Sequence, residues 1–371
     1  MMKVGILSMQ RIKNYGSFLQ AYGLKHILED LGCKVQFVDY HPGTTLIPAD
    51  GGTGLSRKLS KVIDVLKQDG PLKEKIRFIK YKKNYAANYY PYLGITDERN
   101  YSPEVDVLII GSDEVFNCVQ NNTNVGFSPE LFGQGNKAKR IISYAASFGN
   151  TTIENLEQYG VKDKVAEWLS DFDAISVRDK NSGEIVKELT GTEPIYNLDP
   201  VLMYDFISNC KEIPSSVSDQ NYMLLYGYSG RFSKEECREI RRFADSKGLR
   251  IFCIGGVQNC CDKFINVDPF TVIAYFQHAD YVVTDTFHGT IMSVITHRQF
   301  AAVIRESGYG NSQKMTDLLE RLHLCKRQLS EMNDLTVAIE LPIDYEDVDK
   351  ELYCERKRTK SYLSEWLEEV K

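Results

Sequence analysis

The sequence lacks the motifs that mark several common classes of enzyme. It has no Gly-x-Gly-x-x-Gly, no Walker A loop, no His-Glu-x-x-His and no cysteine–histidine cluster with the spacing of a metal site. A mechanism based on nicotinamide, ATP or zinc therefore has no direct support, and we expect no cofactor. The net charge of −6 gives no overall excess of positive charge, which argues against a nucleic-acid partner.

Long hydrophobic runs and spaced cysteine pairs are also missing. The apolar run after Lys3 is too short for a signal peptide or a membrane span, so we expect a cytoplasmic protein. The nine cysteines include no Cys-x-x-Cys pair, which predicts reduced and mostly buried thiols. The neighbouring Cys260 and Cys261 are only a weak signal for a metal or redox site, because neighbours in an extended chain point to opposite sides.

Strand-like apolar runs alternate with helix-length segments along most of the chain. The first such unit has strand candidates at Lys3–Ser8 and Lys34–Asp39, with helical spacing of apolar residues at Ser17–Leu31 between them. A strand–helix–strand unit of this kind predicts a parallel sheet with helices on its faces. The sequence therefore predicts an α/β protein.

The length of the chain and a polar interruption of the strand–helix alternation predict two domains. At 371 residues the chain exceeds the size at which a single hydrophobic core usually stops growing. The alternation pauses in a turn-rich stretch and then resumes, so the site should lie between two sheets, at the carboxyl ends of their strands. The predicted parts are an N-terminal Rossmann-like domain (1–206), a linker (207–221), a C-terminal Rossmann-like domain (222–347) and a closing helix (348–371).

A basic insertion at 43–104 interrupts the first domain. It opens with the polar run 51–54, and residues 57–83 contain ten Lys or Arg against three acidic residues. One interpretation is a solvated helix that packs over the N-terminal sheet. The other is a lid, or a patch over 57–92 that meets an anionic partner such as a diphosphate-linked lipid at the membrane surface.

His288 is the first candidate for chemistry. A predicted strand ends just before Asp285, and a helix is expected to start at Gly289 and Thr290. The free N–H groups at a helix N-terminus favour an anion, and the lack of a side chain on Gly289 lets a ligand approach. An imidazole beside that anion can act as a general acid or base. The alternative is a histidine that only caps or packs.

Three further loops follow predicted strands and carry small or polar residues. A carboxylate such as Asp113 could take a proton from a sugar hydroxyl, while the alternative for each loop is helix capping. Asp199, before Pro200, is interpreted as part of a structural turn. The loops are Asn14-Tyr15-Gly16-Ser17, Gly111-Ser112-Asp113 and Ser147-Phe148-Gly149.

Basic residues near the expected cleft complete the candidates. Arg178 ends a predicted strand, and its guanidinium could bind a carboxylate or phosphate through two parallel hydrogen bonds. A salt bridge from Arg178 to Asp179 is the alternative. Arg305 and Lys314 follow the strand after His288 and could neutralise further negative charge.

Six segments in order give the chain a family resemblance over residues 3 to about 325. Together they resemble the polysaccharide pyruvyl transferase family. The segments are Asn14–Tyr22, Gly111–Asn117, Ser143–Gly149, Ser176–Asp179, Leu198–Leu202 and Thr284–Thr290.

The resemblance implies a fold like that of the GT-B glycosyltransferases, with two Rossmann-like domains facing each other across a cleft. It also implies transfer of pyruvate from phosphoenolpyruvate onto a sugar of a surface polysaccharide or its lipid-linked precursor, as a ketal. Family members often have Arg-Leu-His-Gly where this chain has Thr286-Phe287-His288-Gly289. Another cation, such as Arg178, Arg305 or Lys314, would then have to bind the donor.

On this basis we assign acid–base catalysis to His288, with Asp113 as the second catalytic residue. The residues expected to bind the donor are Arg178, Thr286, Gly289, Thr290, Arg305 and Lys314. The residues expected to bind the acceptor are Asn14, Tyr15, Gly16, Ser112, Asn117 and Ser147. Two alternatives stay open at this point: a nucleotide-sugar-dependent glycosyltransferase of the same fold, and a non-catalytic glycan-binding relative.

Overall fold

The structure is a computed structural model, and it describes residues 1–48, 63, 65–67, 69–305 and 312–368. The glycine-rich start of the insertion at 51–54 lies outside the described residues. So does most of the basic stretch before residue 69.

The first sheet has six parallel strands in the order β2-β1-β3-β4-β5-β6. Its strands are β1 Lys3–Leu7, β2 Lys34–Phe37, β3 Val107–Asp113, β4 Arg140–Ala146, β5 Ser176–Val177 and β6 Ile195–Tyr196. The helices along this part are α1 Tyr15–Asp30, α2 Leu72–Leu93, α3 Ile153–Gln158, α4 Lys162–Ser170 and α5 Lys180–Thr190, with a 3₁₀ helix at Pro129–Phe132.

The second sheet also has six parallel strands, in the order β12-β11-β10-β7-β8-β9. Its strands are β7 Tyr222–Tyr226, β8 Arg250–Ile254, β9 Lys263–Phe264, β10 Tyr281–Thr284, β11 Phe300–Val303 and β12 Gln328–Leu329. The helices of this part are α6 Pro200–Met203, α7 Phe206–Asn209, α8 Lys234–Ser246, α9 Pro269–His278, α10 Phe287–Ile295, α11 Ser312–Arg321, α12 Leu335–Glu340 and α13 Tyr345–Trp366, with 3₁₀ helices at Cys325–Arg327 and Met332–Asp334.

The central strands are apolar because helices cover both faces of each sheet. All five residues of β7 are buried, as are the first six residues of β3. One buried hydrophobic cluster runs from one face of the first sheet into the second half of the chain, and another covers the other face of the first sheet. The predicted α/β fold with two successive parallel sheets is confirmed.

Several boundaries differ from those expected from the sequence. The segment 154–170 has the length of one helix but forms two, α3 and α4, because Gly160 adopts a left-handed conformation (φ 64°) between them. The helix after β10 begins at Phe287 rather than Gly289, since Thr286 caps it. The short strands β9 and β12 were not predicted; two residues are too few to show a periodic pattern.

The last helix, α13, returns to the first sheet. The Tyr362 hydroxyl donates to the carbonyl of Ser143 in β4 (2.7 Å), and the Thr359 hydroxyl accepts from the N–H of Leu198 (3.3 Å). Earlier along α13, Asp349 pairs with His297 from the second half of the chain. The helix therefore joins the two halves.

The insertion helix α2 also contacts both halves. Toward the first half, the Tyr85 hydroxyl donates to the carbonyl of Asn14 (2.6 Å). Toward the second half, the Glu74 carboxylate accepts from the N–H of Phe264 (2.8 Å). The interpretation of a solvated helix over the N-terminal sheet alone is therefore incomplete. Among the described residues, no helix is both long and apolar enough to span a membrane.

Candidate active site

A cavity of about 210 Å³ lies between the two sheets. Its walls come from loops that follow β1, β3, β5, β7 and β10, so it sits at the carboxyl ends of the strands, as expected. Residues of both halves line it, including Asn14, Gly16, Asp113, Arg178, Tyr228 and His288. The lysines Lys82 and Lys314 line it as well.

His288 is held in the first turn of α10. The helix begins after Thr286, whose hydroxyl accepts from the N–H of Gly289 (3.0 Å). A Cβ added to Gly16 would lie 2.4 Å from the imidazole ring, so the ring packs directly on the first turn of α1. His288 belongs to the second half of the chain, but its imidazole contacts the first half. Its side chain is 14% exposed.

Asp199 faces His288 from the first half. One carboxylate oxygen, Oδ2, lies 3.6 Å from the imidazole Nε2 and 2.7 Å from Nη1 of Arg178. Burial alone would raise the pKa of Asp199, but His288 and Arg178 outweigh it and lower the pKa to about 2. The carboxylate is therefore ionised at neutral pH and positioned to orient the imidazole.

Arg178 joins two carboxylates, that of the buried Asp199 and that of the partly exposed Asp113. Besides Asp199, it contacts Asp113 through Nη2 (3.2 Å), and its guanidinium lies 4.6 Å from the ring centre of Phe287. Burial works against its charge, but these carboxylates raise its pKa, so the guanidinium stays charged. The alternative of an Arg178–Asp179 salt bridge is not found; Asp179 caps α5 through the N–H of Ser182 instead.

Asp113 is ionised and constrained. Its Oδ2 accepts from the Ser17 hydroxyl (2.7 Å), and its backbone is left-handed at φ 72°. Burial would raise the pKa of Asp113, but Arg178 and His288 lower it overall. This carboxylate can accept a hydrogen bond from a hydroxyl group in the cavity.

Lys314 closes the cavity from the second half. Its ammonium pairs with Glu114, which follows Asp113 in the first half. Lys314 is buried, and its charge lowers the pKa of Glu114 against the effect of burial. Lys314 therefore reaches the cavity, but its charge is already paired.

Three predicted acceptor residues do not line the cavity. Ser112 donates to the carbonyl of Ala145 (3.1 Å), and Ser147 donates to Asp179 (2.6 Å). The Asn117 amide donates to Glu114 (2.7 Å) and Asn150 (3.0 Å). All three predicted residues are buried and hold neighbouring loops together, so their contact with the acceptor stays a prediction that the cavity lining does not support.

Three predicted donor residues also lie elsewhere. The N–H of Gly289 donates to the Thr286 hydroxyl, and that of Thr290 to the Thr286 carbonyl (3.1 Å), so neither amide is available to an anion. Among the described residues, the N–H groups of Phe287 and His288, at the first two positions of α10, donate no hydrogen bond. Arg305 pairs with Asp285 and Glu236 outside the cavity.

The other predicted residues do line the cavity. Asn14 caps α1 by accepting from the N–H of Ser17 (2.7 Å). The Tyr15 hydroxyl donates to the carbonyl of Val267 (2.8 Å), so the ring rather than the hydroxyl forms the wall. Thr286 uses its hydroxyl to cap α10, and the absence of a side chain on Gly16 makes room for His288.

Two residues of the site were missed by reasoning from the sequence. Asp199 does cap a short helix by accepting from the N–H of Val201 (3.0 Å), as the turn interpretation requires, but its other carboxylate oxygen faces His288. An acidic residue just after a strand made Asp113 a candidate, and the same signal could have found Asp199. Lys82 lies in the insertion helix, and nothing in its local sequence separates it from its basic neighbours.

Comparison with known families fits this geometry. A family model described as polysaccharide pyruvyl transferase matches residues 14–307, which include His288, Asp199, Arg178 and Asp113. The chain belongs to the polysaccharide pyruvyl transferase family. It is therefore a transferase of the kind that acts in polysaccharide biosynthesis. No curated protein matches the chain.

Solved structures resemble the chain in fold. A Staphylococcus aureus MnaA structure with UDP has 10% sequence identity and a TM-score of 0.53, with 99% of this chain and 97% of that chain covered. The UDP-GlcNAc 2-epimerase from Neisseria meningitidis, bound to UDP-GlcNAc, has 10% identity and a TM-score of 0.51, with 99% of each chain covered. A Thermobaculum terrenum O-GlcNAc transferase has 11% identity and a TM-score of 0.46, and the match covers 99% of this chain and 66% of that one. The two structures with TM-scores above 0.5, together with the two parallel sheets, show the GT-B-like arrangement of two Rossmann-like halves.

Proposed function

We propose that the protein transfers pyruvate from phosphoenolpyruvate to two hydroxyls of one sugar and forms a cyclic ketal. The observation that carries the proposal is the chain of contacts from His288 to Asp199, from Asp199 to Arg178 and from Arg178 to Asp113, beside the cavity of a member of this family. The arrangement combines a proton-transfer group, cations for an anionic donor, and a carboxylate that can bind a hydroxyl.

The size and the polarity of the cavity suit a small anionic donor. Its volume of about 210 Å³ is below the roughly 300–1,000 Å³ of pockets for drug-sized ligands. Phosphoenolpyruvate carries close to three negative charges, which require cations and oriented N–H groups. Arg178 and the amides of Phe287 and His288 are placed to supply part of this.

In the proposed reaction, His288 protonates the methylene carbon of phosphoenolpyruvate. Positive charge then develops at the carbon that bears the carboxylate and the phosphate, and one sugar hydroxyl attacks there and returns a proton to the His288 imidazole. Phosphate leaves with the electrons of the carbon–oxygen bond, and the second hydroxyl attacks the same carbon, closes the ketal and gives its proton to the departing phosphate. Electrostatic stabilisation of the charged intermediates should contribute most of the acceleration, and the proton transfer about 10²–10⁴-fold.

We assign the two carboxylates different tasks. Asp199 orients the His288 imidazole, because it is buried, ionised and 3.6 Å from Nε2. Asp113, which is ionised and hydrogen-bonded to Ser17, binds and aligns an acceptor hydroxyl. Asn14 also lines the cavity and is a further polar candidate for acceptor contact.

We further propose that the acceptor is carried on a lipid and is modified at the cytoplasmic face of the membrane. On α2, Leu72 and Ile76 are 61% and 56% exposed, with Lys73 and Lys80 exposed beside them. Exposed apolar side chains among lysines are typical of a surface that lies on anionic lipid. The same helix lines the cavity, so a lipid-linked sugar would reach it over a short path.

The test is release of phosphate from phosphoenolpyruvate over a panel of sugar acceptors, with the parent protein, His288→Ala and His323→Ala. His323 is exposed and pairs with Asp347 away from the cavity, so His323→Ala is the matched control. We expect acceptor-dependent release that His288→Ala lowers by about 10²–10⁴-fold and His323→Ala leaves unchanged. Parental turnover by His288→Ala would overturn the role of His288.

A binding measurement separates the proposal from its alternatives. In calorimetric titrations with phosphoenolpyruvate and with nucleotide sugars, we expect heat of binding from phosphoenolpyruvate. Tight binding of a nucleotide sugar without any response to phosphoenolpyruvate would instead show a glycosyltransferase. Binding of a glycan with no phosphate release under any condition would favour a non-catalytic relative.

A further inference from the structure

Lys82 on the insertion helix α2 lines the same cavity as His288 and Arg178. Its ammonium donates a hydrogen bond to the carbonyl of Lys13, in the loop between β1 and α1. The ammonium also lies 5.7 Å and 5.5 Å from the ring centres of Phe78 and Tyr81. These contacts hold a positive charge at the cavity wall.

This charge differs from those of Arg178 and Lys314, which also line the cavity, in having no carboxylate partner among the described residues. Arg178 pairs with Asp113 and Asp199, and Lys314 pairs with Glu114. No carboxylate of the described residues lies within ion-pair distance of the Lys82 ammonium. An ammonium has three N–H donors, and the Lys13 carbonyl occupies one of them.

The surroundings of Lys82 make its charge costly while the cavity holds no anion. Burial, and then the charge of Lys13, lower the pKa of Lys82 to about 8. A partly buried charge without a partner raises the free energy of the folded protein, and a bound anion would offset that cost. Thr286 brings no positive charge to the donor, and its hydroxyl is already used to cap α10.

We propose that Lys82 binds the phosphate group of the donor, which brings the insertion helix into the active site. The inference rests on the proposed function for the identity of the donor, phosphoenolpyruvate. Arg178, which we also assign to the donor, and Lys314 already have carboxylate partners, so Lys82 adds a charge that no described carboxylate compensates. The role of α2 is to carry this lysine to a cavity that is otherwise lined by residues of the two halves.

Calorimetric titration with phosphoenolpyruvate tests the proposal on the full-length protein and three variants. Lys82→Met removes the charge, and Lys82→Arg keeps a cation. Lys83→Met removes the same charge from the next residue of the helix, which is exposed and outside the cavity. We expect Lys82→Met to weaken binding by about 10- to 100-fold, the range for one charge-assisted hydrogen bond, and Lys83→Met to leave it within about twofold.

Thermal unfolding of each variant shows whether it folds. If Lys82→Met does not fold, Lys82→Gln replaces it, because it removes the charge and keeps a polar side chain with N–H donors. The same weakening is expected of Lys82→Gln, since it also lacks the positive charge that would bind the phosphate. Lys82→Arg should bind phosphoenolpyruvate more tightly than either neutral variant.

The outcomes separate this inference from the proposed function. Equal binding of phosphoenolpyruvate by the parent and both neutral variants would overturn the role of Lys82 and leave the proposed function standing. If the parent ignores phosphoenolpyruvate but binds UDP, and Lys82→Met weakens that binding, the proposed function fails while phosphate binding by Lys82 stands. A parent protein that binds neither phosphoenolpyruvate, UDP nor inorganic phosphate would overturn both.

Discussion

At the scale of single residues, the site is a network of charges in which each carboxylate has an identified cation. Asp199 is the centre of this network, because it contacts both His288 and Arg178 while it is itself buried. Its lowered pKa measures how strongly the folded protein prefers the ionised form. Stability and activity are therefore coupled at this one residue.

Replacement of Asp199 by Asn should lower both stability and activity. The change leaves Arg178 with Asp113 alone and removes the carboxylate beside His288, so we expect a loss of about 3 kcal/mol in the free energy of unfolding. Activity should fall through kcat rather than KM, because Asp199 acts on the imidazole. Urea denaturation and steady-state kinetics measure the two effects. Unchanged kcat in a folded Asp199→Asn variant would contradict the assigned role.

The same residue predicts an acid-sensitive contribution to stability. The pKa of Asp199 is about 2 in the folded protein against an ordinary value of 3.8, so the folded state binds its proton less readily than the unfolded chain. Its contribution of roughly 2 kcal/mol is present above about pH 4 and is lost as the pH falls toward 2. Denaturation curves at intervals over this range should show the loss in the parent and a smaller slope in Asp199→Asn.

Gly16 is needed because of its distance from His288 rather than its flexibility. An added Cβ would lie 2.4 Å from the imidazole, so Gly16→Ala must displace the ring. We expect kcat to fall by about 100-fold, the effect of a displacement of about 1 Å, while the free energy of unfolding changes by no more than about 1 kcal/mol. Steady-state kinetics and urea denaturation check both values. A parental kcat would show that the ring does not act from this position.

At the scale of elements, loops carry the site and helix α2 fixes one of them. Tyr85 and Tyr90 donate to the carbonyls of Asn14 and Arg11, each at 2.6 Å, in the loop that enters α1. Because Asn14 lines the cavity, the insertion helix helps to set the position of the cavity wall. Its tyrosines therefore stabilise the active site, in addition to the charge that we propose for Lys82.

Tyr85→Phe should weaken this contact. Tyr85 is fully buried, and loss of its hydroxyl leaves the Asn14 carbonyl without that donor, which costs about 1 kcal/mol. We also expect a higher KM for phosphoenolpyruvate, since the wall of the cavity loosens. Tyr92→Phe, at a 47% exposed position on the same helix, is the control and should change neither quantity. Equal results for the two variants would refute a specific role for Tyr85.

At the scale of the whole molecule, neither half contains a complete site. His288 and Lys314 come from the second half, while Asp113, Arg178 and Asp199 come from the first. A shared hydrophobic cluster and helix α13 hold the halves together. The division at 207–221 stays a prediction, although Asp219 in that stretch is tied to the second half through Lys263 (2.7 Å).

Cleavage in the predicted linker should not separate the halves. A specific protease sequence inserted between the exposed Ser215 and Ser216 allows one cut there. Because α13 follows the second half but packs on the first sheet, we expect the fragments to co-elute in native gel filtration and to separate only in denaturant. Separate elution under native conditions would show that the contacts between the halves are weaker than the structure indicates.

The sequence by itself determined the α/β class, the succession of two sheets and the place of His288 at the start of a helix. These features depend on local patterns, namely apolar runs, helical spacing and capping residues, and local patterns can be read without coordinates. The family followed from six segments in order. A strand of two residues, such as β9, is too short to show a periodic pattern in the sequence.

Only the tertiary structure decided which side chains meet. Ser112 and Asp113 are the last two residues of β3, yet Ser112 bonds within the protein and Asp113 lines the cavity. Asp199 and Lys82 enter the site from a turn and from an insertion helix, because strands and helices distant in sequence come together there. Contacts of this kind depend on the three-dimensional path of the backbone, which spacing along the chain does not encode.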